Sequence, residues 1–160
     1  MIEGFLPIID NNSEILILGT MPGGESLKKQ EYYAYGRNQF WKIIFSLLKG
    51  QATDDYEEKK KILLESHIGV WDVLKSCDRK GSLDVNIKNP QSNNFKLLFE
   101  QYPKIKQIYF NGKTAEKLYR KLVARDTEEY NIELIGLPST SPANAISFEK
   151  KLEAWKKIIN

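Results

Sequence analysis

The sequence predicts an α/β fold of three layers, in which helices cover both faces of a parallel sheet. Short apolar runs of strand length alternate along the chain with longer segments whose apolar residues recur at helical spacing. Such alternation favours parallel strands, because a crossover helix must join each parallel strand to the next. No internal repeat or linker-like tract interrupts the 160 residues, so we expect a single domain over 1–160.

The first half of the chain opens with a short buried strand. Ile15–Leu18 is an apolar run followed directly by a glycine-rich turn. Helical spacing predicts a helix over Arg37–Leu48, and acidic residues open a second helix over Asp54–Ser66. A second strand falls within Ile68–Leu74. The polar stretch Lys75–Gln91 is predicted to be the longest irregular segment, either functional or a simple insertion.

The second half continues the alternation of helices and strands. Asn93 or Asn94 can cap its first helix, because short polar side chains accept hydrogen bonds from free N–H groups. The predicted elements are, in order, that helix to about Gln101, a strand over Ile105–Phe110, a helix over Thr114–Val123, a turn over Asp126–Tyr130, a strand over Ile132–Ile135, and a closing helix marked by Phe148, Leu152, Trp155, Ile158 and Ile159.

Composition limits the classes of function. Hydrophobic residues at 41% and charged residues at 28% are typical of globular domains, and a net charge of +3 is compatible with an anionic partner without requiring one. The one cysteine, Cys77, excludes an internal disulfide and a cysteine-rich zinc site, and we expect a packed or surface thiol. Without a leader-like or membrane-length apolar segment, we expect an intracellular protein that is neither secreted nor membrane-bound.

A loop rich in small residues follows the first predicted strand. It contains Gly19, Thr20, Met21, Pro22 and Gly23. An open α/β sheet places its ligand crevice at the carboxyl ends of its strands, and exposed backbone amides there can face an anion or a polar base edge. A plain glycine-rich turn is the alternative interpretation.

A second loop of this kind follows the last predicted strand. It contains Ser139, Thr140, Ser141, Pro142, Ala143 and Asn144. A serine nucleophile here would need the only histidine, His67, as its base, and His67 is predicted to be a surface or capping residue without metal-ligand spacing around it. We therefore expect these hydroxyl groups to contact backbone or phosphate, and we expect no metal site.

Aromatic residues cluster before and within the start of the first long helix. Tyr33 and Tyr35 precede the helix, with Asn38 beside them and Phe40 and Trp41 following. Flat side chains next to polar groups suit the stacking and reading of nucleobases. Phe40 is either one of these base-contacting aromatics or, like Trp41, a core residue. Asn38 is either functional or a first-turn residue.

Three polar residues lie near other strand ends. Asp72 is a carboxylate within an apolar run, and a buried acid needs a partner or a substrate. Asn111 and Lys113 follow the third strand, where Asn-Gly is also an ordinary turn signal. Their position predicts that they join the rim of the same crevice.

These segments, in this order, resemble the motifs of the uracil-DNA glycosylase superfamily. Gly19–Gly23 is similar to its first motif and Leu137–Asn144 to its second, while Ile108–Ala115 resembles the strand, turn and helix between them. Tyr32–Trp41 is most similar to the hypoxanthine-DNA glycosylase branch and next to the mismatch-specific uracil/thymine enzymes. The resemblance covers nearly the whole chain, and its specificity lies in the ordered set of motifs.

The resemblance implies a central four-stranded parallel sheet and excision of deaminated bases from DNA. It implies that Asn38 takes part in catalysis, that Tyr33 stacks on the extruded base, and that Asp72 lies near a base-reading position. The loop Ser139–Asn144 then clamps phosphate and fills the vacated stack. Met21 occupies a position where other branches carry an aspartate or asparagine that activates water, which argues against classical uracil excision.

We therefore expect hydrolysis of the N-glycosidic bond of deoxyinosine in DNA, which releases hypoxanthine and leaves an abasic site without a metal or organic cofactor. Asn38 would orient a water through its side-chain oxygen, and backbone amides of Thr20–Gly23 would stabilise the anionic leaving base. A mismatch-type uracil or thymine glycosylase and a non-catalytic nucleotide or single-strand binding module are the alternatives. The expected partner is DNA containing deaminated bases, bound by a monomer.

Overall fold

Two β-sheets form the framework of the protein, which is described for residues 1–48 and 50–159 by a computed structural model. The strands are β1 (Ile2–Glu3), β2 (Ile15–Gly19), β3 (Ile68–Asp72), β4 (Leu74–Asp78), β5 (Lys88–Ser92), β6 (Gln107–Asn111) and β7 (Glu133–Leu137). The helices are α1 (Gly24–Lys29), α2 (Phe40–Leu47), α3 (Tyr56–Glu65), α4 (Phe95–Gln101), α5 (Lys113–Leu122) and α6 (Phe148–Trp155), with 3₁₀ segments at Asp84–Asn86, Ala124–Tyr130 and Lys156–Ile159.

The four-stranded sheet is parallel, with the strand order β3-β2-β6-β7, and helices flank it. This confirms the α/β class and the central four-stranded sheet. The register aligns the carboxyl ends of the strands, since Gly19 pairs with Asp72 and Asn111 with Leu137. The run Leu16–Leu18 is completely buried, as expected of a strand covered on both faces.

The smaller sheet is antiparallel, with the strand order β1-β4-β5, and the sequence did not predict it. The expectation of an irregular segment over Lys75–Gln91 is wrong, because β4 and β5 form a hairpin there. Most of β5 is exposed, so its strand carries no apolar pattern that would reveal it. Pro90 is compatible with β5 because this strand lies at the edge of its sheet.

Local signals located most of the remaining elements within a few residues. Asp55 caps α3 by accepting hydrogen bonds from the backbone N–H groups of Glu57 and Glu58. The helix predicted from Arg37 begins only at Phe40, since the residues before it form a loop. His67 is exposed where α3 ends, and Cys77 is 1% exposed, which confirms a surface histidine and a packed thiol.

Buried tryptophans connect the hydrophobic core to the loops at the carboxyl end of the parallel sheet. Trp155 of α6 is fully buried and donates its indole N–H to the carbonyl oxygen of Pro138 at 2.9 Å. Trp41 of α2 donates its indole N–H to the carbonyl oxygen of Tyr32, also at 2.9 Å. These bonds fix two loops against the core. Within the described ranges, no helix is long and apolar enough to cross a membrane.

Truncation of the central strand tests this core. Ile17 lies in β2, is 0% exposed, and pairs with Val70 and Tyr109. The substitution Ile17→Ala should lower the free energy of unfolding by about 2–5 kcal/mol, because it removes buried methyl groups and leaves a cavity. Urea unfolding followed by circular dichroism measures this change. The control Leu97→Ala, at a side chain 48% exposed, should change it by less than about 0.5 kcal/mol, and equal losses would contradict the assignment.

Candidate active site

A cavity of about 850 Å³ opens at the carboxyl ends of the parallel strands. It lies where the strand order reverses, since the chain passes from β2 to β3 on one side and from β6 to β7 on the other. Open α/β sheets bind ligands at such a point. All four strands of the sheet therefore deliver residues to one crevice.

The structure brings together all but one of the predicted site residues. The cavity is lined by Gly19, Thr20, Met21, Pro22, Gly23, Tyr33, Asn38, Asp72, Asn111, Lys113, Ser139, Thr140, Ser141, Pro142, Ala143 and Asn144. Tyr35, also noted in the sequence, lies at the same cavity. Residues separated by up to 125 positions thus form one surface because parallel strands end at the same edge.

Phe40 is the exception, and its assignment as a base-contacting residue is wrong. Its side chain is 0% exposed and packs edge-on against Trp41 and Trp155 in the core. Its ring stacks on Tyr33 with a centroid distance of 4.0 Å and an interplanar angle of 22°. Phe40 therefore packs on the core side of the Tyr33 ring, because its position in α2 directs its side chain into the core.

Tyr33 adopts the left-handed backbone conformation, with φ at 55°. This conformation is uncommon for a bulky side chain and points to a constrained site. Phe40 covers one ring face, so the opposite face is left to line the cavity. Burial and the nearby charge of Asp72 raise the pKa of the Tyr33 hydroxyl above its usual value, so the hydroxyl remains a donor.

A hydrogen-bond chain joins Asn111, Thr140 and Asn38. The Thr140 backbone N–H donates to Asn111 Oδ1 at 2.9 Å, and Asn111 Nδ2 donates to Thr140 Oγ1 at 3.0 Å. The Thr140 hydroxyl in turn donates to Asn38 Oδ1 at 2.8 Å. These hydrogen bonds fix the orientation of the side-chain amides of Asn111 and Asn38, because the backbone N–H of Thr140 can only donate.

Asn38 consequently presents its nitrogen to the cavity. Its Oδ1 accepts from the Thr140 hydroxyl and from the backbone N–H of Phe40 at 2.9 Å, which occupies both lone pairs. Its Nδ2 makes no hydrogen bond to any residue in the described part of the chain. The expectation that the Asn38 oxygen orients a water is therefore wrong in its choice of atom.

Asp72 ends β3 as a buried acid that lines the cavity. It is 4% exposed, and its Oδ2 has no hydrogen-bond partner among the described residues. Burial and, to a smaller extent, the charge of Asp84 raise the pKa of this carboxyl to about 7, while Arg79 opposes the shift. A carboxyl poised near neutrality inside a pocket is a candidate for ligand recognition.

Gly19 leaves room for the groups that surround it. A Cβ at this position would lie 2.7 Å from Asp72 Oδ1 and 2.8 Å from the Tyr33 hydroxyl oxygen. Any larger residue would displace one of these two side chains. The glycine that the sequence placed in a turn is thus also required by close packing at the base of the cavity.

The first loop, Gly19–Gly23, supplies an apolar side chain and is followed by a backbone amide that is bound within the protein. Met21 is 7% exposed and its sulfur packs toward Gly4, so this position supplies an apolar side chain to the core. The backbone N–H of Gly24 donates to Ser82 Oγ at 2.9 Å. This occupied amide lies just beyond Thr20–Gly23, so the expected role of the amides of Thr20–Gly23 stays a prediction.

The loop after β7 is bound on its inner side by a buried lysine, and its serine hydroxyl groups line the cavity. Lys151, which is 1% exposed, donates its ammonium to the carbonyl oxygen of Ser141 at 3.1 Å. Ser139 Oγ accepts from the Ser141 N–H and Ser141 Oγ accepts from the Ala143 N–H, both at 3.1 Å. Because both hydroxyl oxygens act as acceptors, their hydrogens remain free to donate. Lys113 is exposed at the start of α5 beside this loop.

Sequence reasoning missed one wall of the cavity. Ser82, Leu83, Asp84 and Val85 line it from the tip of the β4–β5 hairpin. The available signal was the alternation of the apolar residues Leu83, Val85 and Ile87 within the polar stretch Lys75–Gln91. Among the residues that the structure describes, no group of three or more His, Cys, Asp and Glu side chains could hold a metal ion.

Comparisons with known proteins agree with this geometry. The model of the family described as Uracil DNA glycosylase superfamily matches residues 6–160. A protein of Methanosarcina acetivorans named hypoxanthine DNA glycosylase is 38% identical over 158 residues, covering 98% of this chain and 96% of its own length. Its namesake from Methanosarcina barkeri is 35% identical over 154 residues, covering 96% and 94%.

A solved structure extends the similarity to three dimensions. The solution NMR structure of a protein of Methanosarcina acetivorans, provisionally described as a uracil DNA glycosylase, superimposes with a TM-score of 0.83 at 35% identity. The match covers 99% of this chain and 98% of the other. Family model, sequence and fold agree over essentially the whole length, and the chain belongs to the uracil DNA glycosylase superfamily.

Proposed function

We propose that the protein is a DNA glycosylase that removes hypoxanthine from deoxyinosine in DNA. The observation that carries the proposal is the cavity at the strand ends, in which a stacking ring, an amide donor and a buried acid converge. Relatives named hypoxanthine DNA glycosylase, at 35% and 38% identity, support the choice of base. The volume of about 850 Å³ lies within the range of small-ligand pockets and suits one extruded nucleotide.

The nucleotide must first leave the duplex, which costs a few kcal/mol of stacking and pairing. The face of the Tyr33 ring that Phe40 does not cover then stacks on the extruded base. Phe40 holds the Tyr33 ring in position by stacking on its other face. The free hydroxyl hydrogens of Ser139 and Ser141 donate to the flanking phosphate oxygens, and the exposed Lys113 adds a positive charge. Pro142–Asn144 cover the gap from the same side.

Asn38 acts on the leaving base through its Nδ2 hydrogens. As the bond from C1′ to N9 breaks, its electron pair passes to the purine, and the sugar becomes cationic. A donor at the purine edge stabilises that developing negative charge. Water then adds to C1′, and the proton it loses neutralises the released base. This route needs no strong base, which is consistent with the apolar, buried side chain of Met21 in the first loop.

Asp72 reads the base in its ionised form. Hypoxanthine carries a hydrogen on N1, whereas N1 of adenine is an acceptor, so a carboxylate beside this position accepts from hypoxanthine and repels adenine. The same edge of uracil carries a hydrogen on N3, which makes a uracil activity the alternative specificity. The unpartnered oxygen of Asp72 supports this role.

Product formation is the direct test of the proposed function. Duplexes that contain deoxyinosine, uracil, xanthine or a thymine mismatch are incubated with the protein and then cleaved at abasic sites with alkali. We expect strand breaks with deoxyinosine. Binding to all four duplexes without any abasic product would instead identify a non-catalytic binding module, and breaks confined to uracil or thymine would identify a mismatch-type enzyme.

Two substitutions of Asn38 test the role of its nitrogen. Asn38→Asp keeps an oxygen to accept from Thr140 and Phe40 but loses the donor, while Asn38→Ala loses both. We expect both variants to slow single-turnover excision of deoxyinosine at least about 100-fold, the scale of one lost transition-state donor. Gel-shift affinity for the lesion duplex should be nearly unchanged. Retained or faster excision by the aspartate variant would instead assign Asn38 to water activation.

The pH dependence of excision tests Asp72. Because the pKa of this carboxyl is raised to about 7, the ionised form increases between pH 6 and pH 8, and excision should rise over the same interval. Asp72→Asn should flatten the profile, since an amide oxygen accepts from N1–H at any pH. The charge of Asp84 helps to raise the pKa of Asp72, so the control Asp84→Asn should move the midpoint to lower pH. An unchanged profile in Asp72→Asn would refute the assignment.

The same carboxyl should affect stability in a defined direction. Its pKa in the folded protein, about 7, lies above the ordinary value of about 3.9 expected for the unfolded chain. The contribution of this carboxyl to the free energy of unfolding is therefore fully present below about pH 4 and is lost as the pH rises to about 7. Urea unfolding should find Asp72→Asn more stable relative to the unsubstituted protein at pH 8 than at pH 4. An advantage that is independent of pH would contradict the raised pKa.

A further inference from the structure

The β4–β5 hairpin places two exposed aliphatic side chains at the rim of the cavity. Leu83 is 58% exposed and Val85 is 87% exposed, and both line the cavity. The hairpin continues from β3 at one edge of the parallel sheet, whereas the loop after β7 comes from the opposite edge. The two segments therefore border the cavity from opposite sides. Large apolar side chains exposed beside a binding cavity are typical of a contact surface.

The hairpin tip, residues 79–87, is anchored to the first loop. Arg79 donates from Nη2 to the carbonyl oxygen of Pro22 at 2.6 Å and from Nε to that of Gly81 at 2.9 Å. Ser82 Oγ accepts from the backbone N–H of Gly24. These bonds hold the tip at the cavity, so the exposure of its aliphatic side chains is a fixed feature of the fold.

In the loop after β7, residues 138–147, the side chains that line the cavity are too small to enter a base stack. Ile146 is 42% exposed in this loop, but it does not line the cavity. Pro142 and Ala143 are exposed but small, and Asn144 is turned back on its own loop. Its Nδ2 donates to the carbonyl oxygen of Ser139 and its backbone N–H to that of Ser141. Proteins that open a DNA stack insert apolar wedges, of which leucine is one. The largest exposed aliphatic side chains at this cavity belong to the hairpin tip.

The charge around the tip suits a nucleic acid. Lys80 and Lys88 are exposed on the tip and at the start of β5. Neither lysine makes an ion pair within residues 1–48 and 50–159. These lysines stand on either side of Leu83 and Val85 in the sequence, with Asp84 between the two aliphatic residues, and ammonium groups without a protein partner are available to phosphates.

We propose that the hairpin tip is a second DNA-contacting element, with Leu83 and Val85 packed against the bases that flank the extruded nucleotide. The proposal rests on the proposed function for the extruded nucleotide itself. It adds an apolar wedge at the tip, on the side of the cavity opposite the loop after β7, which keeps the phosphate contacts and the cover of the gap by Pro142–Asn144. The occupant is thus a duplex opened at one base pair.

A double substitution with a matched control tests the tip. Leu83→Ser/Val85→Ser removes both aliphatic groups from exposed positions, so the fold should be unaffected. The control Leu6→Ser/Leu97→Ser also replaces two exposed aliphatic side chains by serine, at positions 87% and 48% exposed that lie outside this cavity. We expect the tip variant to bind a deoxyinosine duplex about tenfold more weakly, the factor for one buried aliphatic side chain, and the control to bind normally.

Fluorescence distinguishes insertion from simple attraction. A 2-aminopurine next to deoxyinosine should brighten when the unsubstituted protein opens the stack, and this signal should be lost with the tip variant. Leu83→Trp offers a second readout, because the three natural tryptophans are at most 9% exposed and a tryptophan at the tip should be quenched on stacking. Unchanged affinity in the tip variant, together with unquenched tip fluorescence of Leu83→Trp on saturating DNA, would overturn the proposal.

The outcomes separate this inference from the proposed function. Normal excision of hypoxanthine by the unsubstituted protein, together with unchanged affinity of the tip variant and unquenched fluorescence of Leu83→Trp, would overturn the tip contact alone. Quenching of the tip tryptophan without any excision would refute the glycosylase function and support the tip as a DNA contact. Failure of the unsubstituted protein to bind DNA would overturn both.

Discussion

The candidate site depends on one buried chain of hydrogen bonds, from Asn111 through Thr140 to Asn38. It joins the end of β6, the loop after β7 and the segment that precedes α2. The donor and the acceptor of each of these hydrogen bonds are determined, because the backbone N–H of Thr140 can donate but cannot accept. Loss of any member would leave a buried polar group unpaired, at a cost of about 1–3 kcal/mol. The network thus fixes both the shape of the cavity and the atom that Asn38 presents to it.

Around this network, the core supports the rim from below. Trp155 and Lys151 of α6 bind two carbonyl oxygens of the last loop, at Pro138 and Ser141. These two carbonyls are bound from the inside, while the half-buried side chains of Ser139 and Ser141 line the cavity. Lys151 shows the cost of this arrangement, because burial lowers the pKa of its ammonium group. A loop fixed in this way is preorganised, so the proposed contact with a phosphate backbone would require little ordering on binding.

The electrostatics at the base of the cavity connect the buried acid to the hairpin tip. Asp72 is buried without a full set of partners, which a stable core would not retain without compensation. Asp84 raises its pKa and Arg79 lowers it, so the hairpin tip influences the acid that the base would meet. The same guanidinium binds the first loop through Pro22. Arg79 therefore links the charge state of Asp72 to the placement of the hairpin tip against the first loop.

Much of the site was predictable because parallel strands deliver their following loops to one edge. The small-residue loops, Asp72 and Asn111 could be placed together from the order of strands alone. The role of Phe40 could not, since helical spacing gives a buried face without saying which ring it supports. The hairpin over Lys75–Gln91 was missed because its second strand is mostly exposed and carries no apolar alternation.

The sequence by itself determined the α/β class, the strand-end loops and the family resemblance, because these follow from local periodicity and short motifs. Only the tertiary structure decided the orientation of the Asn38 amide, the hairpin wall of the cavity and the burial of Phe40. The reason is the range of the contacts. Thr140 meets Asn38 across 102 positions and Ser82 meets Gly24 across 58, and no local pattern encodes the partner of a hydrogen bond that far away.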